Sequence, residues 1–248
     1  MDSENNNIKI YRCERGIVYA NLKAFEAISK EKGLGKFIAE TSHNLHPDSP
    51  GSFSDDYGTD FGVEICQSEI DENIGYRVDI NRGQLDYIYP NKGMVERLQA
   101  IQPSVKLTQF PYGYVIRKGQ IDGEIIPYYP NAKSLTEYAQ NITDKEFINL
   151  YKQVLEILKE MYENGVMYLD LHGKNFLINL DEQQKPIIHT IDFENKYLHF
   201  AEYNDYCKNN MINALKLFLI AMKKMLKDIS YESELSELTD DFITKVIK

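Results

Sequence analysis

The chain has 248 residues, 43% of them hydrophobic, which suffices for one large domain or two small lobes with real cores. Its formal net charge of −10 argues against a general nucleic-acid binder and against an anionic membrane surface, while leaving room for local basic patches. No apolar run reaches the length of a membrane span, the polar start Met1–Asn7 is unlike a secretory signal, and the scattered Cys13, Cys66 and Cys207 suggest reduced thiols in a cytosolic setting.

Residues 8–20 alternate weakly, as a strand or hairpin would. Residues 21–40 place Leu22, Phe25, Ile28, Leu34, Phe37 and Ile38 at roughly helical spacing, interrupted at Gly33 and Gly35. Residues 41–59 are rich in Ser, Asp, Pro and Gly and read as a loop. His43 and His46 lie in it without companion ligands, so they read as surface residues and not as a metal site. Phe61–Cys66 and Ile74–Ile80 have strand character. Gly93–Ile101 predicts a helix with Met94, Leu98 and Ile101 on one face. Two further strands run over Phe110–Gly119 and Gln120–Tyr129, about a glycine-marked turn.

Ser134 and Glu137 form a capping-box pattern before a short helix. Thr143 and Glu146 repeat it before a long one, in which Phe147, Leu150, Tyr151, Val154, Leu158 and Met161 keep helical spacing. Asn164 and Gly165 supply its stop. Next comes Asp170, followed five residues later by Asn175. A strand-like run, Phe176–Leu180, carries the chain away, and a second, Ile187–Ile191, returns it to Asp192. The helix predicted over 205–227 is apolar on most faces between Met211 and Met225, so it is expected at the centre of its lobe. An amphipathic helix is predicted over 232–247.

A tight loop, a hairpin and a return would place Asp170, Asn175 and Asp192 at one end of a small sheet. Phosphoryl transfer needs this set. One carboxylate orients the acceptor hydroxyl or takes its proton, and an amide oxygen with a second carboxylate holds magnesium against the phosphates. Asp and Asn also serve ordinary turns, so the weight falls on the combination of capped helix, loop, strand and Ile191-Asp192-Phe193. The stretch Val166–Glu194 resembles the catalytic loop and the Asp-Phe-Gly segment of the protein-kinase-like superfamily.

That resemblance implies an α+β fold of two lobes, a small antiparallel β lobe and a reduced, mainly helical one, with ATP and Mg2+ between them. It implies an extension of uncertain fold over 1–57, a small lobe over 58–129 and a large lobe over 130–248. Asp170 becomes the catalytic base, Lys174 a cation for the γ-phosphate, and Asn175 and Asp192 the metal ligands. Gly58 and Gly62 resemble a shortened glycine-rich loop, whose backbone N–H groups would approach phosphate. The usual strand lysine is missing. Arg77 is the nearest substitute, with Glu96 as its helix partner. Ile126 maps to the gatekeeper, and the Pro127 carbonyl and Tyr129 N–H to the adenine contacts. Asp205 maps to the aspartate that props the catalytic loop.

The departures shape the expected activity. Tyr168 and Leu169 stand where protein kinases usually have His-Arg, so the cation that commonly receives an activation-loop phosphate is absent. Only twelve residues separate Asp192 from Asp205. Activity is therefore expected to be constitutive or to need an activating protein partner. His172 is similar to the catalytic loop of aminoglycoside and choline kinases. The short segment after Glu194 instead resembles the minimal Ser/Thr kinases that some bacteria deliver into host cells, which implies a protein substrate. A pseudokinase scaffold, and a transferase moving AMP from a flipped nucleotide, are the remaining alternatives.

Overall fold

A computed structural model describes residues 8–13, 16–21, 63–67, 73–79, 94–117, 120–194, 197–200 and 203–247. The chain divides into two compact units, residues 1–100 with 110–130, and residues 101–109 with 131–248. The first is mostly antiparallel sheet and the second mainly helix, so the α+β class expected from the sequence holds. No helix among the described residues is long and apolar enough to cross a membrane.

The first unit opens with an antiparallel hairpin of β1 (Ile8–Cys13) and β2 (Gly16–Asn21), with Ile8 opposite Asn21 and Cys13 opposite Gly16. Asn21 therefore closes a strand, and the rest of the helix expected over 21–40 lies outside the described residues. So do the loop with His43 and His46, and Gly58 and Gly62. Strands β3 (Val63–Gln67), β4 (Ile74–Asp79), β5 (Gly113–Arg117) and β6 (Gln120–Pro127) form an antiparallel sheet in the order β3-β4-β6-β5. Helix α1 (Met94–Ile101) buries Met94 and Val95, and one turn on Leu98, on one side. Its Gln99 amide donates to the Pro111 carbonyl at 2.6 Å and so ties the helix to the approach to β5.

In the second unit both capping boxes form. Ser134 caps α2 (Leu135–Ala139), and Thr143 caps α3 (Asp144–Glu163). In each, the cap hydroxyl accepts from the third helical N–H and the glutamate reaches back to the cap's own N–H at 2.8 Å. Helix α3 ends at Asn164. Gly165 follows at φ 85°, a conformation that costs a side-chain-bearing residue dearly. Short β7 (Lys133–Ser134) joins β9 (Phe176–Leu180) and β10 (Pro186–Thr190) in a three-stranded sheet. Strands β8 (Val166–Tyr168) and β11 (Leu198–Phe200) pair separately. Helices α4 (Asp205–Lys223) and α5 (Glu232–Phe242) complete the unit.

The hub of this unit is α3, contrary to the sequence expectation for the later helix. Helix α3 buries residues over about half of its circumference and along its whole length, including Ile148, Leu150, Val154, Ile157 and Met161. Its Tyr151 hydroxyl pairs with Thr239 Oγ1 of α5 at 2.7 Å inside the core, and the Tyr151 ring stacks on Phe218 of α4. Its Glu160 carboxylate accepts the N–H groups of Lys106 and Leu107 at 2.9 and 2.7 Å. Helix α4 buries a single stripe, Met211, Leu215, Phe218 and Met222, and leaves Leu217 68% and Ile220 53% exposed. Apolar content alone marks a helix as central only if it has neighbours on every side, and α4 packs on one. Asp205 is likewise corrected. It is exposed in the first turn of α4, and no hydrogen bond joins it to the loop over 169–175 among the described residues.

Burial of His189 on β10 pushes its imidazole down from 6.5 to about 4. Between those values the unfolded chain takes up a proton that the folded chain excludes, so stability falls as pH drops from about 6.5 toward 4. His189→Gln should remove up to about 3 kcal/mol of that acid-dependent loss. Urea midpoints measured across this range, parent beside variant, check it. Parallel curves would show that His189 does not carry the effect.

Candidate active site

The site is built where β8 ends. All three β8 residues are buried, and Tyr168 pairs across the ladder with Leu198 of β11. Past Tyr168 the backbone makes two successive tight turns. The Leu171 N–H donates to the Leu169 carbonyl at 2.9 Å, and the His172 N–H to the Asp170 carbonyl at 3.2 Å. A 3-10 turn, Gly173–Asn175, then feeds β9. Gly173 is needed there, because a Cβ at this position would collide with Thr136 Oγ1 of α2. The loop is thus seated against α2 by the absence of a side chain.

Asn175 is 3% exposed, and its amide nitrogen is fully engaged. It donates to the Asp170 carboxylate at 2.8 Å, to the Asp170 carbonyl at 3.0 Å and to the Tyr168 hydroxyl at 2.9 Å. Those bonds set the amide's orientation and leave Oδ1 as its remaining acceptor. The Tyr168 hydroxyl in turn donates to the Ile191 carbonyl at 2.9 Å. The Ile191 N–H donates to the Asn175 carbonyl at 2.9 Å and closes the circuit. The returning strand is therefore stitched to Asn175 by one side-chain and one backbone route, and the next residue is Asp192.

Asp192 has φ 62°, the left-handed region that non-glycine residues seldom occupy. The Glu194 N–H bonds the Asp192 carbonyl at 3.0 Å, and the Tyr197 N–H bonds the Glu194 carbonyl at 2.9 Å. Phe193 is buried with its ring 5.5 Å from that of Tyr168. Burial raises the Tyr168 phenol well above its usual range, and the negative charges of Asp192, Asp170 and Glu194 add to the rise. The phenol therefore stays protonated and remains a donor to Ile191.

An imidazole and an ammonium group flank this core. His172 Nε2 lies 3.7 Å from Asp170 Oδ2, and its side chain is half exposed. Lys174 is exposed on the 3-10 turn. The Ser134 hydroxyl, with the Ser134 N–H and the charges of Lys133 and Lys174, holds the Glu137 carboxyl below its ordinary range.

The expected small-unit residues sit on other elements. Arg77 is on β4, across the ladders from Ile65 of β3 and Glu124 of β6. Glu96 is in the first turn of α1. Ile126 and Pro127 lie on β6 opposite Gly75 and Ile74, and Tyr129 follows that strand. Glu124, 1% exposed, is an acidic residue that sequence reading passed over. Its signal is the strand register, which is invisible until the pairing is known. Tyr168 was legible only as a departure from His-Arg. Its bridging role depends on where Ile191 returns.

Among the described residues no three His, Cys, Asp or Glu side chains gather as a metal cage. The donor set fits a different kind of site. Magnesium takes hard oxygen ligands and often only one or two from protein, the rest coming from phosphates and water. An amide whose nitrogen is consumed, beside a carboxylate, supplies such ligands.

No protein-family model matches the chain, and no curated protein matches it in sequence. Among solved structures it is similar to WaaP in complex with acyl carrier protein, with 13% identity, 90% of this chain and 98% of that one covered, and a TM-score of 0.44. It is also similar to the Cydia pomonella granulovirus kinase PK-1, with 10% identity, 81% and 78% coverage, and a TM-score of 0.48. Identities and scores this low assign no function, which must be argued from the chain's own residues. Among the described residues the elements run as an antiparallel sheet interrupted by one helix, then a mainly helical unit carrying the loop and hairpin, the order that the sequence resemblance implies.

Tyr168→Phe keeps the ring and deletes the hydroxyl bridge. It should cost about 1–3 kcal/mol, because the part-buried Ile191 carbonyl loses its donor and the buried Asn175 amide loses an acceptor. Chemical denaturation reads this directly, and an unchanged midpoint would show that the bridge contributes nothing. Gly173→Ala should lower the melting temperature, and adding Thr136→Ala should restore most of the loss.

Proposed function

We propose that the chain is an ATP- and magnesium-dependent phosphotransferase, a minimal protein kinase acting on serine or threonine hydroxyls. One observation carries the reading: the circuit through Asp170, Asn175, Tyr168 and Ile191, which holds a loop carboxylate beside an oriented amide and ties Ile191, the residue before Asp192, to Tyr168 and Asn175. Turn-forming Asp and Asn residues need no such shared network. Asp170 orients the acceptor hydroxyl and takes its proton. Asn175 Oδ1 and the Asp192 carboxylate hold the ion. Bound magnesium would offset charge on the phosphates as the phosphoryl group moves. Lys174 contributes a cation toward the γ-phosphate. In the first unit, Arg77 replaces the usual lysine with Glu96 as its partner, Gly58 and Gly62 approach phosphate, and Ile126, Pro127 and Tyr129 receive the adenine.

The stretch after Phe193 supports activity without loop phosphorylation. Tyr197 bonds back to Leu169, and Leu198–Phe200 pairs at once with β8, so the chain returns to the loop's own strand before α4 begins. A second reading, a small-molecule kinase, draws on His172, whose imidazole faces the Asp170 carboxylate.

The test is incubation of the purified chain with γ-labelled ATP, magnesium and a generic protein, beside Asp170→Asn and Asp192→Ala. Label on protein should fall about 10²–10⁴-fold in both variants. Magnesium-dependent ATP binding without transfer to protein would favour the small-molecule acceptor or a required partner. Absence of nucleotide binding would leave only a scaffold. Prior phosphatase treatment should leave the rate unchanged, and a large fall would mean that a phosphorylated residue is needed.

A further inference from the structure

Helix α4 presents a second apolar stripe to solvent. Tyr206 is 71% exposed, Leu217 68% and Ile220 53%, and Ile229 in the following turn is 78% exposed. The three helical positions share one face with Asn213 and Lys224, opposite the buried Met211, Leu215, Phe218 and Met222. These four residues make up most of the large exposed hydrophobics among the described residues, so the stripe is not ordinary scatter.

Charge segregates onto the same segment. From Tyr206 to Lys227 there is no Asp or Glu, while Lys208, Lys216, Lys223, Lys224 and Lys227 all fall there, in a chain of net charge −10. Lys216 and Lys224 are exposed beside the apolar positions. Lys223 lies 3.8 Å from Glu232, and Lys227 Nζ donates to the Ile142 carbonyl at 2.5 Å. Nearby acids are partly engaged elsewhere, Glu234 with Lys152 and Asp241 with Lys245.

We propose that this face of α4 docks on an anionic lipid surface, with Leu217 and Ile220 entering the headgroup boundary and Lys216 and Lys224 meeting lipid phosphates. An apolar stripe flanked by lysines is the composition of an in-plane interfacial helix, and a tyrosine at one end suits the headgroup level. A second copy of the chain fits poorly, since a two-fold pairing would set these lysines against their own equivalents. A protein partner also fits less well. The segment has five lysines and no arginine, whereas protein interfaces favour arginine and are depleted in lysine. Nucleic acid does not explain leucine and isoleucine at the centre of the stripe.

The test is co-sedimentation of the full chain with vesicles of phosphatidylcholine alone, or of phosphatidylcholine and phosphatidylglycerol in equal parts. Two double variants run beside it, Leu217→Ser with Ile220→Ser, and Lys216→Glu with Lys224→Glu. All four positions are exposed, and melting curves confirm that the variants fold. The expected result is binding to the anionic vesicles only, weakened by salt and reduced roughly tenfold in either variant. No anionic-vesicle binding, or binding that both variants retain, overturns the proposal. So does a dimer in sedimentation equilibrium that Leu217→Ser dissociates, since a second copy would then own the face. Retention on polyglutamate in place of vesicles, lost in the same variants, overturns it in favour of an acidic protein.

Discussion

The hydroxyl of Tyr168 is the constraint on which the site depends. It is a neutral donor and acceptor at the end of a fully buried strand, reaching two segments that are far apart in sequence. Its acceptance of the Asn175 amide turns that side chain so that its oxygen is left over. Its donation to Ile191 sets the height at which the hairpin returns. A buried phenol can do both only while protonated, and burial among carboxylates keeps it so. The exposed loop residues, His172 and Lys174, are held by nothing comparable.

Around that bond, rigidity is layered. The capped helix α3 delivers the chain to β8 and stops cleanly at Gly165. The loop presses on α2 through a glycine that leaves no room for a methyl group. The segment after Phe193 folds back onto β8 within a few residues, so the same strand supports the loop on one side and the return on the other. Asp192 sits at the junction in a left-handed conformation. Such backbone persists only where its surroundings over-determine it, and two hydrogen-bonded neighbours and a buried Phe193 do so here.

Helix α4 shows the other side of this economy. One stripe secures the core through Phe218 against Tyr151 and Phe176. The opposite stripe contributes nothing to that packing, yet keeps large apolar side chains among lysines. A residue pattern serving only stability would place polar groups there, which is why the outer face calls for a role of its own.

The sequence by itself determined much of the local structure. Both capping boxes, the Gly165 stop, the β9–β10 hairpin and the spacing from Asp170 to Asn175 to Asp192 rest on short-range chemistry, where a side chain meets a backbone group a few residues away. Strand ends shifted by one residue, as at the close of β3 and at both ends of β10, because pairing partners set those limits. Tertiary structure alone decided the rest. Tyr168 bridges Asn175 and Ile191, Glu124 faces Arg77 across the ladder, and Gly173 abuts Thr136. Each is a meeting of residues distant in sequence or set by register, and composition records neither. The same holds for α4. Its apolar run is visible in the sequence, but which half is buried depends on neighbours that exist only once α3 and α5 have packed against it.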